Sequence, residues 1–168
     1  MVVTNNQIDT LLIKQLSDIV VMELIFGNVK IILASMDMDR NQQLDDYLLK
    51  IEAIIQHAKG AGILLAMDSN SRYNTWNVTR TNTRGRIPEE FLTSKQLHIL
   101  NEESDSSTFR SIRGSSNIDL TLVSNQLLRA VDEWEIWDQE SCSEHIIRYA
   151  LGQGIGVNPS STLPRSQV

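Results

Sequence analysis

An α/β layered fold is predicted by three features of this 168-residue sequence. Short β-rich runs alternate with one strongly amphipathic helix in the first half. Gly62 to Met67 is a continuously apolar segment, the pattern of a strand covered on both faces. Strands dominate the second half, where turn residues separate several short apolar runs.

Each element has a local reason. Residues 1–17 show no clear period and are expected to be irregular. Ile19 to Phe26 and Lys30 to Ala34 are β-rich and are split by Gly27-Asn28, which predicts a hairpin. Leu44, Tyr47, Leu48, Ile51, Ile54 and Ile55 recur at helical spacing with Asp45, Asp46, Lys50 and Glu52 between them. This helix should stop near Lys59-Gly60, where glycine accepts the terminating conformation. Ser69 to Thr83 lacks periodicity and is predicted to be a loop. Pro88 suits the first turn of a helix over Ile87 to Leu92, with Glu89 and Glu90 favourable at its N-terminal end. His98 to Leu100, Ser107 to Phe109, Ile118 to Val123, Val131 to Trp137 and Ile146 to Leu151 read as strands. The body of the domain is thus residues 18–151, and residues 152–168, rich in glycine, proline and serine, are expected to be disordered.

Composition narrows the class. Hydrophobic residues make up 41% and charged residues 21%, ordinary for a globular chain, and no apolar run reaches the ~20 residues of a membrane helix. Met1 to Thr10 is polar where a secretory signal needs a basic patch and an apolar block, so a nuclear or cytoplasmic location is expected. Cys142, the single cysteine, excludes an internal disulfide. The net charge of -6 argues mildly against a generic nucleic-acid binder. Its distribution is more telling: Ser69 to Pro88 holds Arg72, Arg80, Arg84 and Arg86 and no acid. Arg110 and Arg113 form a second small basic group. Arginine suits bidentate contact with phosphate, so Arg72, Arg84 and Arg113 are candidate substrate contacts; solvated loop arginines are the structural alternative.

Three strand-end motifs carry the chemistry. Asp68-Ser69-Asn70 follows the apolar strand, Asn117-Ile118-Asp119 lies at a second, and Ser143-Glu144-His145 precedes a third. Asp68 and Asp119 are short acids that a strand end can hold rigidly, and Mg²⁺ needs only one or two carboxylates because it keeps several waters. Asn70, two residues beyond Asp68, would share its face in an extended segment and could bond a phosphate oxygen. His145 can serve as a general base or stabilise charge, with an acid such as Glu144 fixing its tautomer. Each motif alone has a structural reading: an Asx turn at Asp68, a structural histidine at His145. An acid within an apolar strand, as at Asp119, needs a partner.

Taken together, the motifs resemble the endonuclease/exonuclease/phosphatase superfamily, and within it the endonuclease domains of insect-type non-LTR (LINE-like) retrotransposons. The resemblance rests on Ala66 to Ser71, Trp76, Asn82 to Arg86, Glu89 to Phe91, Leu97 to Asn101, Thr108-Phe109, Gly114 to Thr121 and Ser141 to His145, in the family's order. It implies a four-layer α/β sandwich and Mg²⁺-dependent nicking of DNA. It further implies that Asp68 orients or activates water and Asn70 contacts phosphate. Asp119 would support His145 or belong to the metal environment, and His145 would act as base or phosphate stabiliser. Three departures set further expectations. The family's N-terminal portion, with its metal-binding glutamate, is expected to be absent, leaving part of one sheet missing and an edge that another chain or an upstream segment would complete. Asp37 falls where the family has tyrosine, and Glu144 where it has aspartate. The chain is therefore expected to be weak or inactive as a nuclease; a non-catalytic remnant or a nucleic-acid- or protein-binding module is the alternative.

Overall fold

A computed structural model describes residues 8–39, 41–69, 87, 89–101, 109–111, 114–116, 119–135 and 148–151. Its body is a six-stranded mixed sheet in the order β1-β2-β3-β4-β8-β5, made of β1 (Asp9–Gln15), β2 (Ile19–Phe26), β3 (Val29–Asp37), β4 (Gly62–Asp68), β8 (Asp119–Ser124) and β5 (Leu97–Ile99). Only β3 and β4 run parallel within it; α1 (Leu44–Ala58) is the crossover between them. Helix α2 (Glu89–Lys95) leads into β5, and α3 (Asn125–Leu128) follows β8. Two small antiparallel pairs, β6 (Phe109–Ser111) with β7 (Gly114–Ser116) and β9 (Val131–Glu135) with β10 (Arg148–Leu151), make up the rest. The α/β class expected from the sequence is the class observed.

The β2–β3 hairpin turns at Gly27-Asn28, between the paired Phe26 and Val29. Gly27 adopts φ 57°, a conformation that costs glycine little. Helix α1 buries Tyr47, Ile51, Ile54 and Ala58, one face of its helical repeat. The left-handed stop falls on Lys59, at φ 48°, one residue before the glycine expected to supply it; Gly60 follows at φ 88°. The entry to α1 is held by Tyr47, whose hydroxyl accepts a 2.7 Å bond from the Asp39 N–H. Burial of that phenol raises its pKa above the ordinary value, although the Asp39 contact and Lys50 oppose the rise.

Two apolar layers sandwich the sheet. On one face α1 packs over Ile32, Ala34, Met36, Ile63, Leu65, Met67, Leu120 and Leu122. On the other, Leu127 of α3 packs with Leu24, Ile31, Leu33, Leu64 and Val123. Gly62 marks where α3 meets the sheet: a Cβ there would lie 2.4 Å from Leu127 Cγ. Since Leu127 is itself buried, Gly62→Ala must push α3 outward. It is expected to cost about 1–3 kcal/mol in urea denaturation, the usual range for overpacking. A wild-type midpoint would show that Leu127 yields freely.

One element corrects the sequence reading. Asp9–Gln15, expected to lie in an irregular segment, is strand β1, paired antiparallel with β2 and interrupted by a register shift between Leu12 and Lys14. Its sequence carries no strand signal because it is an edge strand exposed on both faces, so no alternation marks it. Leu11 is 55% exposed and Leu12 53%. Among the described residues no strand lies on its outer side, and an apolar edge of this kind invites pairing with another chain. Leu12→Lys is expected to lower concentration-dependent self-association in sedimentation velocity and to change stability by no more than about 0.5 kcal/mol. Unchanged association would remove β1 as the sticky edge.

Candidate active site

The sheet register, more than any single motif, brings the candidate acids together. Asp68 ends β4 and is the direct partner of Asp119, which begins β8. On the other side of Asp68, across the parallel β3–β4 ladder, its register partner is Asp37. The three positions form one row across three adjacent strands, on the face that carries Leu33, Leu64 and Val123 further along. Between the acid row and that apolar row stand Ser35, Ala66 and Thr121, all small. Exposure falls along the row: Asp37 is exposed, Asp68 half-buried and Asp119 only 4% exposed.

The backbone around these acids is tied down on several sides. The Met38 N–H donates to the Asp68 carbonyl at 2.9 Å, extending the β3–β4 ladder past its last pair. Ser69, directly after Asp68, is buried. At the other border of β8, Leu100 N–H donates to the Thr121 carbonyl at 2.9 Å. The Asn101 side chain then bonds twice to the same strand: its amide nitrogen donates to the Asp119 carbonyl at 2.9 Å, and its oxygen accepts from Thr121 N–H at 2.8 Å. Asn101 stood within the sequence motif Leu97 to Asn101, but no role was legible for it; an asparagine closing an apolar strand triplet is the only signal.

Of the residues proposed from sequence, Asp68 and Asp119 are brought face to face. Asn70, Arg72, Arg84, Arg113, Glu144 and His145 lie outside the described residues. Among the described residues, no three His, Cys, Asp or Glu side chains converge closely enough to hold a metal. His98 is committed elsewhere, its Nε2 meeting Asn125 Oδ1. A cavity of about 690 Å³ lined by Glu23, Lys30, His57, Lys59 and Gly62 lies at the start of β4, whereas Asp68 closes that strand. Seven residues of strand, about 20 Å, separate the two ends, so this cavity belongs to a different part of the molecule. No described helix is long and apolar enough to cross a membrane.

Comparison with known proteins fits this geometry. Residues 31–149 match the family model described as endonuclease-reverse transcriptase. The chain is 28% identical over 132 residues to a retrovirus-related Pol polyprotein from the type-1 retrotransposable element R1 of Bradysia coprophila, covering 73% of this chain. It is 26% identical over 127 residues to a putative 115 kDa protein in the R1DM element of Drosophila melanogaster, covering 67% of this chain. The matches span only 13% and 12% of those relatives' lengths. Among solved structures, the endonuclease domain of TRAS1, a telomere-specific non-LTR retrotransposon, superposes with a TM-score of 0.78 at 24% identity, over 89% of this chain and 71% of that one. The AP endonuclease of Leishmania major gives 0.60 at 13% identity, over 77% and 53%. These likenesses show a shared fold, and the family match extends through both strand-end acids. The chain belongs to the endonuclease-reverse transcriptase family, whose model it matches over most of its length.

Proposed function

We propose that this chain carries a Mg²⁺-dependent DNA-nicking site centred on Asp68 and Asp119, with low turnover. The observation that supports the reading most strongly is the direct register pairing of the two acids at one border of the central sheet. Two short carboxylates on neighbouring strands are hard oxygen donors at a fixed spacing, and a cation that retains several waters asks for no more. Asp68 and Asp119 would hold the ion, which when bound supplies charge stabilisation to a phosphate oxygen and acidifies a water. Asp68 orients the attacking water, and Asn70 bonds a non-bridging oxygen. His145 takes the water's proton or stabilises charge on the phosphate, with Asp119 fixing the imidazole. Arg72, Arg84 and Arg113 contact the phosphate backbone and set affinity, not sequence choice.

Low turnover follows from Glu144, where the related motif carries aspartate. One extra methylene moves a carboxylate by about an ångström, and displacement on that scale can cost roughly 10²-fold in rate. The exposed edge of β1 supports a second proposal: another chain or an upstream segment pairs with it and completes the sheet. The domain boundaries in this reading are residues 18–151 with β1 added, and its setting is nuclear or cytoplasmic. Retention of DNA binding without cleavage is the competing reading, favoured by Glu144 and by an aspartate at position 37.

Incubation with supercoiled plasmid separates the two. Slow conversion to open circles, dependent on Mg²⁺ and abolished in His145→Ala, is the expected result. Equal background conversion by both proteins would overturn the nicking site.

A further inference from the structure

We propose that Asn101 is a positioning residue for Asp119, acting as a detached piece of strand; the inference rests on the site reading above. β5 pairs with β8 only as far as Ile99 opposite Leu122, and the Leu100 N–H then bonds the Thr121 carbonyl. Beyond that point the Asn101 side-chain amide takes over. A carboxamide has the donor and acceptor of a peptide unit, and here both are used as a neighbouring strand would use them, on Asp119 O and Thr121 N. The partners also fix the amide's orientation, because a backbone carbonyl only accepts and a backbone N–H only donates.

The consequence concerns the border of the sheet. Residues 119–121 begin β8, and a strand start with one unpaired side frays. Asp119 is paired to Asp68 through β4 on one side. On the other side, among the described residues, it is Asn101 that holds its carbonyl. Asp119 is thereby clamped between a strand and a side chain, which keeps its spacing to Asp68 constant. Outer-shell contacts of this kind commonly change metal affinity or activity by about 10–100-fold when removed.

Asparagine is specifically required. Aspartate at this position could accept from Thr121 N–H but would present a second oxygen to the Asp119 carbonyl. Leucine, branched at the same atom but larger, makes neither bond. The order of function is therefore Asn above Asp above Leu.

The test uses the full chain in three forms: wild type, Asn101→Asp and Asn101→Leu. Three readouts are taken: amide hydrogen exchange at Thr121, affinity for Mn²⁺ alone from the paramagnetic signal of the free ion, and single-turnover nicking. Expected for Asn101→Leu are Thr121 exchange faster by at least about tenfold, Mn²⁺ affinity lower by about tenfold, and a nicking rate lower by about 10²-fold at a KM for DNA within about twofold. Asn101→Asp, which keeps one of the two bonds, falls between and covers the case in which the leucine variant does not fold. Faster Thr121 exchange with wild-type Mn²⁺ affinity and nicking would overturn the inference and leave Asn101 a purely structural residue. A wild type that neither binds Mn²⁺ nor nicks would overturn the site reading itself, and the inference with it. If wild type binds Mn²⁺ without nicking, the affinity series alone decides for or against Asn101.

Discussion

Asp119→Asn is expected to lower Mg²⁺-dependent nicking of supercoiled DNA by about 10²–10⁴-fold, the range for groups that act directly in proton transfer or its support. The substitution keeps the shape of the side chain, removes the charge and turns one acceptor oxygen into a donor. Asp119 is almost fully buried beside Asp68. Ionising a carboxylate there costs desolvation energy that the neutral amide avoids. Stability should therefore be unchanged or slightly higher, and thermal unfolding measured beside the nicking rate would show it. This opposite movement of activity and stability separates a functional acid from a structural one. If Asp119 were held for stability alone, the asparagine variant would melt lower and nick as before.

Ile51→Ala is expected to have the largest effect on stability, about 2–5 kcal/mol, through the lost transfer energy and the cavity left behind. Ile51 is fully buried at the centre of the face that α1 lays over β3 and β4. Domains of ordinary stability hold about 5–15 kcal/mol in total, so the variant should lose a large part of its margin. Leu49, on the same helix but 63% exposed, supplies the control: Leu49→Ala should stay within about 0.5 kcal/mol of wild type. Urea midpoints of the pair measure both. Equal effects would mean that α1 does not pack on the sheet as described.

Parts of this architecture were open to reading from sequence because they obey one period over a sufficient length. The spacing of Tyr47, Ile51 and Ile54 identified α1 and its buried face, and the unbroken apolar run Gly62 to Met67 identified β4 as a strand covered on both faces. Strand β1 is silent in the sequence because an edge exposed on both sides has no apolar stripe to alternate. Helix α3, four residues long, is too short to show helical periodicity. At the site, Asp68 and Asp119 were each visible as acids at strand borders. Their pairing was not, because it depends on β8 returning from some fifty residues downstream to lie against β4 in one register. Asn101 was silent for a related reason: both of its bonds go to backbone groups, which carry no residue identity for a sequence motif to record.

The most direct test of the central claim, that Asp68 and Asp119 form one metal-holding phosphodiesterase site, is an anomalous-scattering map from crystals of the full chain soaked in Mn²⁺. A single peak bonded to a carboxylate oxygen of each residue, at about 2.0–2.3 Å as expected for a hard cation on oxygen, is the predicted result. A fully soaked crystal with no peak at these two aspartates, or with its peak elsewhere on the molecule, would contradict it.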